Sequence, residues 1–393
     1  MKAVIIGAGR VGRHIAEHLS RTYGVTVVDR NPSIAEELQY SLDVTTVEGD
    51  ATLPETLEDA GVGEANYVIA TTDDDHVNII VCSLTKTMSD AKTIARVKSM
   101  DYLRVWSRGR SALGVDLMVC TVPLVVKSII NVINFPELRL LRNVYGPLYA
   151  GEALSASKGI WNVELAGRRI IIGTMREIEG LYREKKPRRI LIMGGSETSL
   201  LLAAMLSHKG YSIKLVERDH KRAELASKKL DSVTVVVGDV FNPTLWELEE
   251  LDEADIAVAS LGTDEGNLLA SILSRKMGVE RVFSIVREGS FIDIFEKNGI
   301  VAVSPERVTA ERIVLAARGR KVLGVVSAIP GITVLAVKAD DVLGGKTALG
   351  TGIVPGPVLR EGEIMVPTRG FHPRKGDIMT FVVENNKLGD LNL

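Results

Sequence analysis

The sequence has few of the residues that would assign it to a special class. Its 393 residues include two cysteines, Cys82 and Cys120, which do not form a C-x-x-C pair. They cannot build a disulfide framework, so we interpret both as buried apolar side chains in a reducing compartment. Aromatic residues make up 5% of the chain although apolar residues reach 46%. This composition is typical of buried parallel strands covered by helices.

Neither the charge nor the hydropathy indicates binding to nucleic acid or insertion into a membrane. The formal net charge is −2, so no basic excess predicts a nucleic-acid partner. No apolar run approaches the roughly 20 residues that a membrane-spanning helix needs. Met1 and Lys2 lead directly into an apolar run, so we expect no signal peptide. A role at a membrane would therefore require docking on a partner.

The most informative feature that is present is an internal repeat. Identical or similar residues occur in pairs that are 189 positions apart: Asp50 and Asp239, Pro54 and Pro243, Asp75 and Asp264, Asn78 and Asn267, Lys98 and Arg287. A constant offset over such a length indicates a duplicated domain rather than a chance motif. If each copy carries a ligand site, the duplication favours a sensor over an enzyme with a single site.

Apolar strands alternate with helical segments in both copies, and this alternation predicts a parallel, doubly wound sheet in each. We predict an α/β fold with two Rossmann-like domains, a reduced linker module and a small C-terminal α+β domain. The first Rossmann domain is predicted at 1–137 and the second at 188–320. Between them, 138–187 is predicted to hold a linker and a module like a reduced copy of the C-terminal domain. The C-terminal domain itself is predicted at 321–393.

One helix and two irregular segments complete the prediction. The helix predicted over Pro123–Ile133 is apolar on more than one face, so we expect another lobe or chain to cover it. The segment 138–187 predicts a single strand, Arg169–Ile172, and a linker at 184–187. The tail predicts three short strands: Thr333–Val337, Ile364–Pro367 and Ile378–Val383.

A glycine motif, Gly7-x-Gly9-x-x-Gly12, stands between the first strand and the first helix. In such a motif the first glycine allows a tight turn, the second lets a pyrophosphate approach, and the third lets helix and strand pack closely. Asp29 follows the second strand, where a carboxylate accepts hydrogen bonds from ribose hydroxyls. It favours NAD or an adenosine nucleotide over NADP, and the neighbouring Arg30 softens that preference. The alternative is a structural turn that holds no phosphate.

Four further residues are candidates for the same site. Asp50 follows the third strand and is either an adenosine contact or part of a helix cap. Thr71 and Thr72 follow the fourth strand, at the edge where ligands of such folds bind. Arg96 ends the fifth strand and is either a phosphate ligand or a solvated side chain.

The second copy has lost most of the glycine motif. Gly194, Ser196 and Ser199 stand at the positions of Gly7, Gly9 and Gly12, so side chains occupy two places where backbone has to come close. Glu217 and Asp239 remain candidates for the ribose side of a second, weaker site. The alternatives are a structural copy and a smaller ligand.

No catalytic or metal-binding arrangement accompanies these motifs. The sequence offers no Ser/His/Asp or Cys/His order and no general acid or base of the kind that hydride transfer needs. His14 and His18 are spaced four residues apart, but no third ligand is in view, and we interpret them as a solvated helix flank. We therefore assign no catalytic and no metal-binding residue.

The ordered motifs resemble the TrkA family, the RCK- or KTN-type regulators of potassium uptake systems and channels. The resemblance rests on segments of both copies and of the tail: Val4–Gly12, Val27-Val28-Asp29, Glu48–Thr52, Ala70–Asp75, Ile94–Lys98, Val216-Glu217-Arg218, Gly238-Asp239, Thr263-Asp264-Glu265, Gly362–Pro367 and Arg374–Ile378.

This resemblance implies a regulatory subunit without enzyme activity. It implies binding of NAD(H), or of ATP and ADP, by Gly7, Ala8, Gly9, Arg10, Val11, Asp29, Thr71, Thr72 and Arg96. It also implies a homo-oligomer, which we expect to be a tetramer, docked at the inner face of the cell membrane on a TrkH-like potassium transporter that it gates. The helix over Pro123–Ile133 matches the family's crossover helix, which joins two lobes. The alternatives are an NAD-dependent oxidoreductase and an assembly domain with vestigial nucleotide sites.

Overall fold

The computed structural model describes residues 1–109, 113–133, 135, 137–153, 159–165, 167–181, 188–317, 322–329, 332–340, 353–367 and 371–384. The linker predicted at 184–187 lies outside these ranges. Both cysteines are buried, as predicted.

The first copy is a parallel sheet covered by helices. Its strands are β1 (Lys2–Ile6), β2 (Gly24–Asp29), β3 (Thr45–Glu48), β4 (Tyr67–Ala70), β5 (Lys92–Val97) and β6 (Leu117–Cys120), in the order β3-β2-β1-β4-β5-β6. Its helices are α1 (Arg10–Leu19), α2 (Pro32–Ser41), α3 (Pro54–Asp59), α4 (Asp75–Met88) and α5 (Met100–Arg108). The strand order reverses beside β1, which places a crevice at the carboxyl ends of β1 and β4.

A helix and a small antiparallel sheet follow the first copy. The helix is α6 (Thr121–Ile133). The sheet has the order β7-β8-β10-β9, formed by β7 (Leu138–Tyr145), β8 (Leu148–Ala153), β9 (Trp161–Leu165) and β10 (Arg168–Thr174), and α7 (Met175–Leu181) follows it. The sequence predicted only the strand that became β10, because β9 is half-exposed and β7 and β8 carry charged residues and a glycine.

The second copy repeats the first. Its strands are β11 (Arg189–Met193), β12 (Ser212–Glu217), β13 (Thr234–Val237), β14 (Ile256–Ala259), β15 (Arg281–Ile285) and β16 (Val301–Val303), in the order β13-β12-β11-β14-β15-β16. Its helices are α8 (Glu197–Ser207), α9 (His220–Lys229), α10 (Pro243–Leu248), α11 (Asp264–Lys276) and α12 (Ile292–Lys297), and α13 (Pro305–Ala317) leaves it as α6 leaves the first. The predicted fold of two Rossmann-like domains is confirmed.

The C-terminal region is an antiparallel sheet with the same strand order as the small sheet after α6. It is built from β17 (Val322–Ile329), β18 (Ile332–Lys338), β19 (Ile353–Arg360), β20 (Glu363–Met365) and β21 (Ile378–Glu384), in the order β17-β18-β21-β19-β20. The order β7-β8-β10-β9 therefore corresponds to β17-β18-β21-β19, so the repeat extends over both small sheets. β20 has no counterpart among the described residues of the first small sheet.

The two small sheets pack face to face. Leu148 and Ile170 from one and Val334 and Val382 from the other are buried in a shared apolar core. At Gly324 in β17, an added Cβ atom would lie 2.1 Å from the carbonyl oxygen of Val144 in β7, so the backbones touch and leave no room for a side chain. The small sheets thereby tie the two copies together a second time.

The two helices that leave the Rossmann sheets are exchanged between the copies. α6 packs on α8 of the second copy, with Val126 and Ile129 buried beside Leu202 and Leu206. α13 packs on α1 of the first copy, and the two exchanged helices also contact each other. The second copy covers α6, so the prediction that another lobe or chain covers the helix over Pro123–Ile133 is confirmed. The covering lobe belongs to the same chain.

Replacing Ile313 with alanine tests how much the exchanged α13 contributes to stability. Ile313 is fully buried against α1, so Ile313→Ala should lower the free energy of unfolding by about 2–5 kcal/mol through lost burial and an unfilled cavity. Urea denaturation followed by circular dichroism measures the change. The control is Val105→Ala on α5, where the side chain is 57% exposed and a change within about 0.5 kcal/mol is expected. Equal effects for the two variants would contradict the packing of α13 described above.

Candidate functional site

A cleft of about 520 Å³ opens at the carboxyl edge of the first sheet. Nine residues of the predicted nucleotide site line it: Gly7, Gly9, Arg10, Val11, Asp29, Arg30, Thr71, Thr72 and Arg96. Ala8, Gly12 and Asp50 do not line the cleft but lie next to residues that do. We call this space the first cleft.

Each glycine of the motif is needed at its position for a different structural reason. Gly7 has a φ of +96°, and an added Cβ atom would lie 3.0 Å from the amide nitrogen of Thr72. At Gly12 an added Cβ atom would lie 1.8 Å from the carbonyl oxygen of Gly7, so α1 packs directly on the turn. At Gly9 an added Cβ atom would meet nothing within 4 Å. Gly9 therefore leaves open space in the cleft where a ligand can approach the backbone.

The N-terminus of α1 is uncapped by any side chain. Its N-cap residue is Gly9, which has no side chain to accept a hydrogen bond from the first amides. Free amides at a helix N-terminus, together with the helix dipole, favour binding of an anion. The cleft therefore offers a phosphate-binding end.

Asp29 organises the opposite side of the turn. Its Oδ2 accepts a hydrogen bond of 2.7 Å from the amide of Ala8, and its Oδ1 accepts one of 2.9 Å from the amide of Asn31. Each carboxylate oxygen has two lone pairs, so Asp29 keeps the capacity to accept further bonds from hydroxyl groups.

Asp50 lies beside the cleft, in the turn that precedes α3. Its Oδ2 lies 2.7 Å from a guanidinium nitrogen of Arg30, and its Oδ1 accepts hydrogen bonds from Thr52. The Arg30 guanidinium and the Thr52 donors lower the pKa of Asp50 to about 2. The N-cap residue of α3 is Leu53, whose amide donates to the carbonyl oxygen of Asp50, so Asp50 also belongs to the turn that leads into this helix.

The ends of β4 and β5 are joined through a buried asparagine. Asn78 accepts a hydrogen bond of 2.7 Å from the hydroxyl of Thr72 and donates one of 2.9 Å to the carbonyl oxygen of Arg96. Thr71 donates from its hydroxyl to the carbonyl oxygen of Ile6 at 3.1 Å. Sequence reasoning noted Asn78 only as a landmark of the repeat, although a buried amide at the start of α4 has to be hydrogen-bonded.

Arg96 is not a solvated side chain. It is buried, it lies 3.4 Å from Asp73, and its Nε has no hydrogen-bond partner among the residues that the structure describes. A buried guanidinium with a free donor in the cleft wall is suited to binding a phosphate.

Among the lining residues that sequence reasoning did not predict, one comes from the second copy. Glu306, at the start of the exchanged helix α13, lines the first cleft, and burial raises the pKa of its carboxyl group. Its carboxylate lies 4.0 Å from the Arg10 guanidinium. Glu306 reaches the cleft only through the helix exchange, which the spacing of motifs does not reveal.

The second copy has a cleft of similar size, about 530 Å³, which we call the second cleft. All four predicted residues of this copy line it: Gly194, Ser196, Glu217 and Asp239. Glu217 accepts a hydrogen bond of 2.5 Å from the amide of Gly195, as Asp29 does from Ala8. The ribose side of the motif has therefore kept its geometry.

The phosphate side of the second cleft differs. The Ser196 hydroxyl caps α8 by accepting a hydrogen bond of 3.1 Å from the amide of Ser199, and it lies 2.8 Å from the Ser260 hydroxyl. The protein itself thus satisfies an amide that is free in the first copy. This end of the second cleft is less suited to an anion.

Other sequence interpretations are settled by burial. His18 is buried and His14 is half-buried, because this side of α1 packs near α13, so the interpretation as a solvated flank is wrong.

Within the described ranges, no group of three or more His, Cys, Asp or Glu side chains could hold a metal ion. In the same ranges, no helix is long and apolar enough to cross a membrane.

Curated relatives cover the whole chain. The Trk system potassium uptake protein TrkA of Vibrio alginolyticus is 28% identical and matches all of this chain and 98% of its own length. The TrkA protein of Halomonas elongata has the same identity and coverage, and TrkA homolog 1 of Methanosarcina mazei is 26% identical over 96% of each chain.

Solved structures share the fold. The RCK domain of GsuK aligns with a TM-score of 0.62 at 18% identity and covers 99% of this chain and 94% of its own. The GsuK channel bound to NAD aligns with the same TM-score at 19% identity, covering 99% of this chain and 78% of its own.

The model of the TrkA-N domain matches twice, at residues 3–121 and 190–305. These two matches coincide with the two Rossmann-like copies and account for more than half of the chain. The chain therefore belongs to the TrkA-N domain family, with two copies of the domain joined by exchanged helices.

Proposed function

We propose that this protein is a regulatory subunit of a potassium uptake system, and that it senses NAD(H), or ATP and ADP, in its first cleft. The observation that carries the proposal is the uncapped N-terminus of α1 facing a cleft that Asp29 and Arg96 also line. The potassium system is inferred from full-length relatives named as Trk potassium uptake proteins. The ligand classes are supported by the fold shared with GsuK, whose structures include one bound to NAD and one bound to ADP.

Each part of the first cleft has a role in this proposal. The amides after Gly9 and the guanidinium of Arg96 hold the phosphates, because both offer donors to an anion. Ala8, Arg10, Val11 and Gly12 belong to the same turn, and Asp29 accepts bonds from the ribose. Arg30 and Asp50 close the adenosine side as an ion pair.

The two clefts have unequal roles. Ser196 occupies the N-cap position and satisfies the amide of Ser199, so a phosphate in the second cleft has to displace a hydrogen bond that already exists. Glu217 and Asp239 still face the cleft. We expect the second cleft to bind the same nucleotides more weakly.

Exposed apolar side chains support assembly of several chains. Ile80 on α4 and Leu269 on α11 stand 189 positions apart, at the same place in the two copies, and are 45% and 56% exposed. Contacts of this kind on both lobes would join chains into a ring, and we propose a tetramer beneath a TrkH-like membrane subunit. The protein would then act at the inner face of the cell membrane without crossing it.

An oxidoreductase is the competing proposal, since the first cleft would also suit a redox dinucleotide. Sequence reasoning found no general acid or base, and no histidine is among the described residues that line the first cleft. We therefore propose that nucleotide exchange, not turnover, is the function.

Replacing Gly9 with aspartate should abolish nucleotide binding in the first cleft. The added side chain has space in the folded protein, but its negative charge fills the position of the phosphates. Calorimetric titration with NADH should show loss of the tighter binding event. Gly63→Asp is the control, because an added Cβ atom there also meets nothing within 4 Å and the site is outside the cleft. A full complement of tight NADH binding in Gly9→Asp would contradict the ranking of the two clefts.

Asp29 should make the first cleft selective for an unmodified ribose. Wild-type protein should bind NADH more tightly than NADPH, because the 2′-phosphate would meet the carboxylate. Asp29→Ala should weaken NADH binding by about 1–3 kcal/mol, the scale of a charge-assisted hydrogen bond. Equal affinities of the wild type for NADH and NADPH, measured by the same titration, would disprove the assigned role of Asp29.

Assembly should depend on the exposed apolar position of the second copy. Leu269→Asp should reduce the mass measured by light scattering, since a charge replaces an apolar contact between chains, whereas Leu248→Asp on α10 should not. Both side chains are exposed, at 56% and 76%. Wild-type protein that is monomeric, or potassium flux through a reconstituted transporter that no adenine nucleotide changes, would rule out the proposed regulator.

A further inference from the structure

A third cavity, of about 900 Å³, lies between the two lobes. Its walls are one face of α1, the first turn of α13, the segment from β15 to α12, and the ends of β18 and β21 in the C-terminal sheet. It shares Arg10 and Glu306 with the first cleft but contains none of the glycines of either motif. We call it the interlobe cavity.

Four of the arginines that line this cavity lie on α1, just beyond its end or on the first turn of α13: Arg10, Arg13, Arg21 and Arg307. Three of them, Arg10, Arg13 and Arg307, already have carboxylate partners. Arg13 lies 2.7 Å from Glu37, and Arg10 lies 3.5 Å from Glu288. Arg21 therefore has the most donor capacity left for a ligand, and Arg307 can share its guanidinium between Glu311 and a ligand.

Three buried nitrogen atoms at this wall are unsatisfied. The Nη1 of Arg21, the Nε of Arg307 and the Nε2 of His14 have no hydrogen-bond partner in the described part of the chain. The Nε of Arg307 lies 3.4 Å from the Oε1 of Glu311, so its charge is paired although the two atoms do not form a well-aligned hydrogen bond. Leaving a buried donor of a charged group without a hydrogen bond is costly. The unbonded donors of Arg21 and Arg307 therefore point to a further acceptor in this cavity.

The electrostatic surroundings of His14 indicate a positive potential at the same place. Its pKa is lowered to about 3, first by burial and then by the nearby charges of His18, Arg307 and Arg142. His14 is therefore neutral at physiological pH and adds a hydrogen-bonding atom without adding charge.

Of the five carboxylates that line the cavity, two share the walls of the cations, since Glu17 lies on α1 and Glu306 begins α13. Glu288 and Glu306 both face Arg10, and Glu17 lies 4.0 Å from His14. Asp293 on α12 and Glu384 at the end of β21 complete the acidic side. An anionic group would consequently lie near Arg21 and Arg307, away from the carboxylates that face Arg10 and α12.

We propose that the interlobe cavity binds a phosphate-bearing anion, a phosphate ester or a diphosphate, through Arg21 and Arg307, with His14 as an additional hydrogen-bonding group. The volume is sufficient for a metabolite of nucleotide size. Because the ligand contacts α1 of one copy and α13 of the other, it bridges the two lobes. This proposal does not require that the first cleft hold a nucleotide.

Three arginines allow the cavities to be tested separately. Arg21 lines only the interlobe cavity, Arg96 only the first cleft, and Arg222 only the second cleft. Inorganic pyrophosphate is titrated calorimetrically into the full chain at low ionic strength, using the wild type and the variants Arg21→Gln, Arg96→Gln and Arg222→Gln. Arg307→Gln is a second variant of the interlobe cavity, and circular dichroism verifies that each variant is folded.

The proposal predicts a pyrophosphate site that persists in Arg96→Gln and in Arg222→Gln. Arg21→Gln, and independently Arg307→Gln, should raise the dissociation constant of that site by about tenfold or more, the effect of losing a charge-assisted hydrogen bond. The proposal is overturned if the wild type binds no pyrophosphate. It is also overturned if the whole binding signal disappears in Arg96→Gln or Arg222→Gln, or is unchanged in both Arg21→Gln and Arg307→Gln.

Discussion

The exchange of α6 and α13 between the two copies is the interaction on which the rest of the structure depends. Each helix leaves one Rossmann sheet and buries its apolar face on the first helix of the other, so neither lobe has a complete core alone. Tyr23 in the first copy also donates a hydrogen bond of 2.7 Å to the carbonyl oxygen of Ala317 at the end of α13. A movement of one lobe is therefore transmitted to the other through packed helices rather than through a flexible linker.

This exchange gives a ligand in the first cleft direct contact with the second lobe. Arg10 belongs to the glycine turn, while Glu288 and Glu306, which face it, belong to the second copy. A phosphate that attracts Arg10 would compete with these carboxylates. A ligand shifts an equilibrium between two arrangements only by its differential affinity for them, and this competition is one source of that difference.

Much of the fold was predictable from the sequence because its signals are local. The alternation of strands and helices, the glycine turn and the offset of 189 residues each depend on a few neighbouring residues, and the two parallel sheets follow from them. The strands β7, β8 and β9 were missed because their burial comes from a sheet more than 150 residues away. Glu306 was missed for the same reason, since a helix from the other copy carries it into the first cleft. The roles of the cleft residues in binding remain predictions, whereas their convergence on one cleft follows from the strand order.

The claim that a nucleotide in the first cleft rearranges the two lobes is tested most directly by a distance measurement between them. Tyr40 and Leu248 are exposed on different lobes, and both native cysteines are buried, so Tyr40→Cys and Leu248→Cys can carry a pair of spin labels. Pulsed electron spin resonance then measures the distance with and without NADH. The account predicts that NADH shifts the distance distribution, and that Gly9→Asp in the same protein removes the shift. A distribution that saturating NADH leaves unchanged would contradict it.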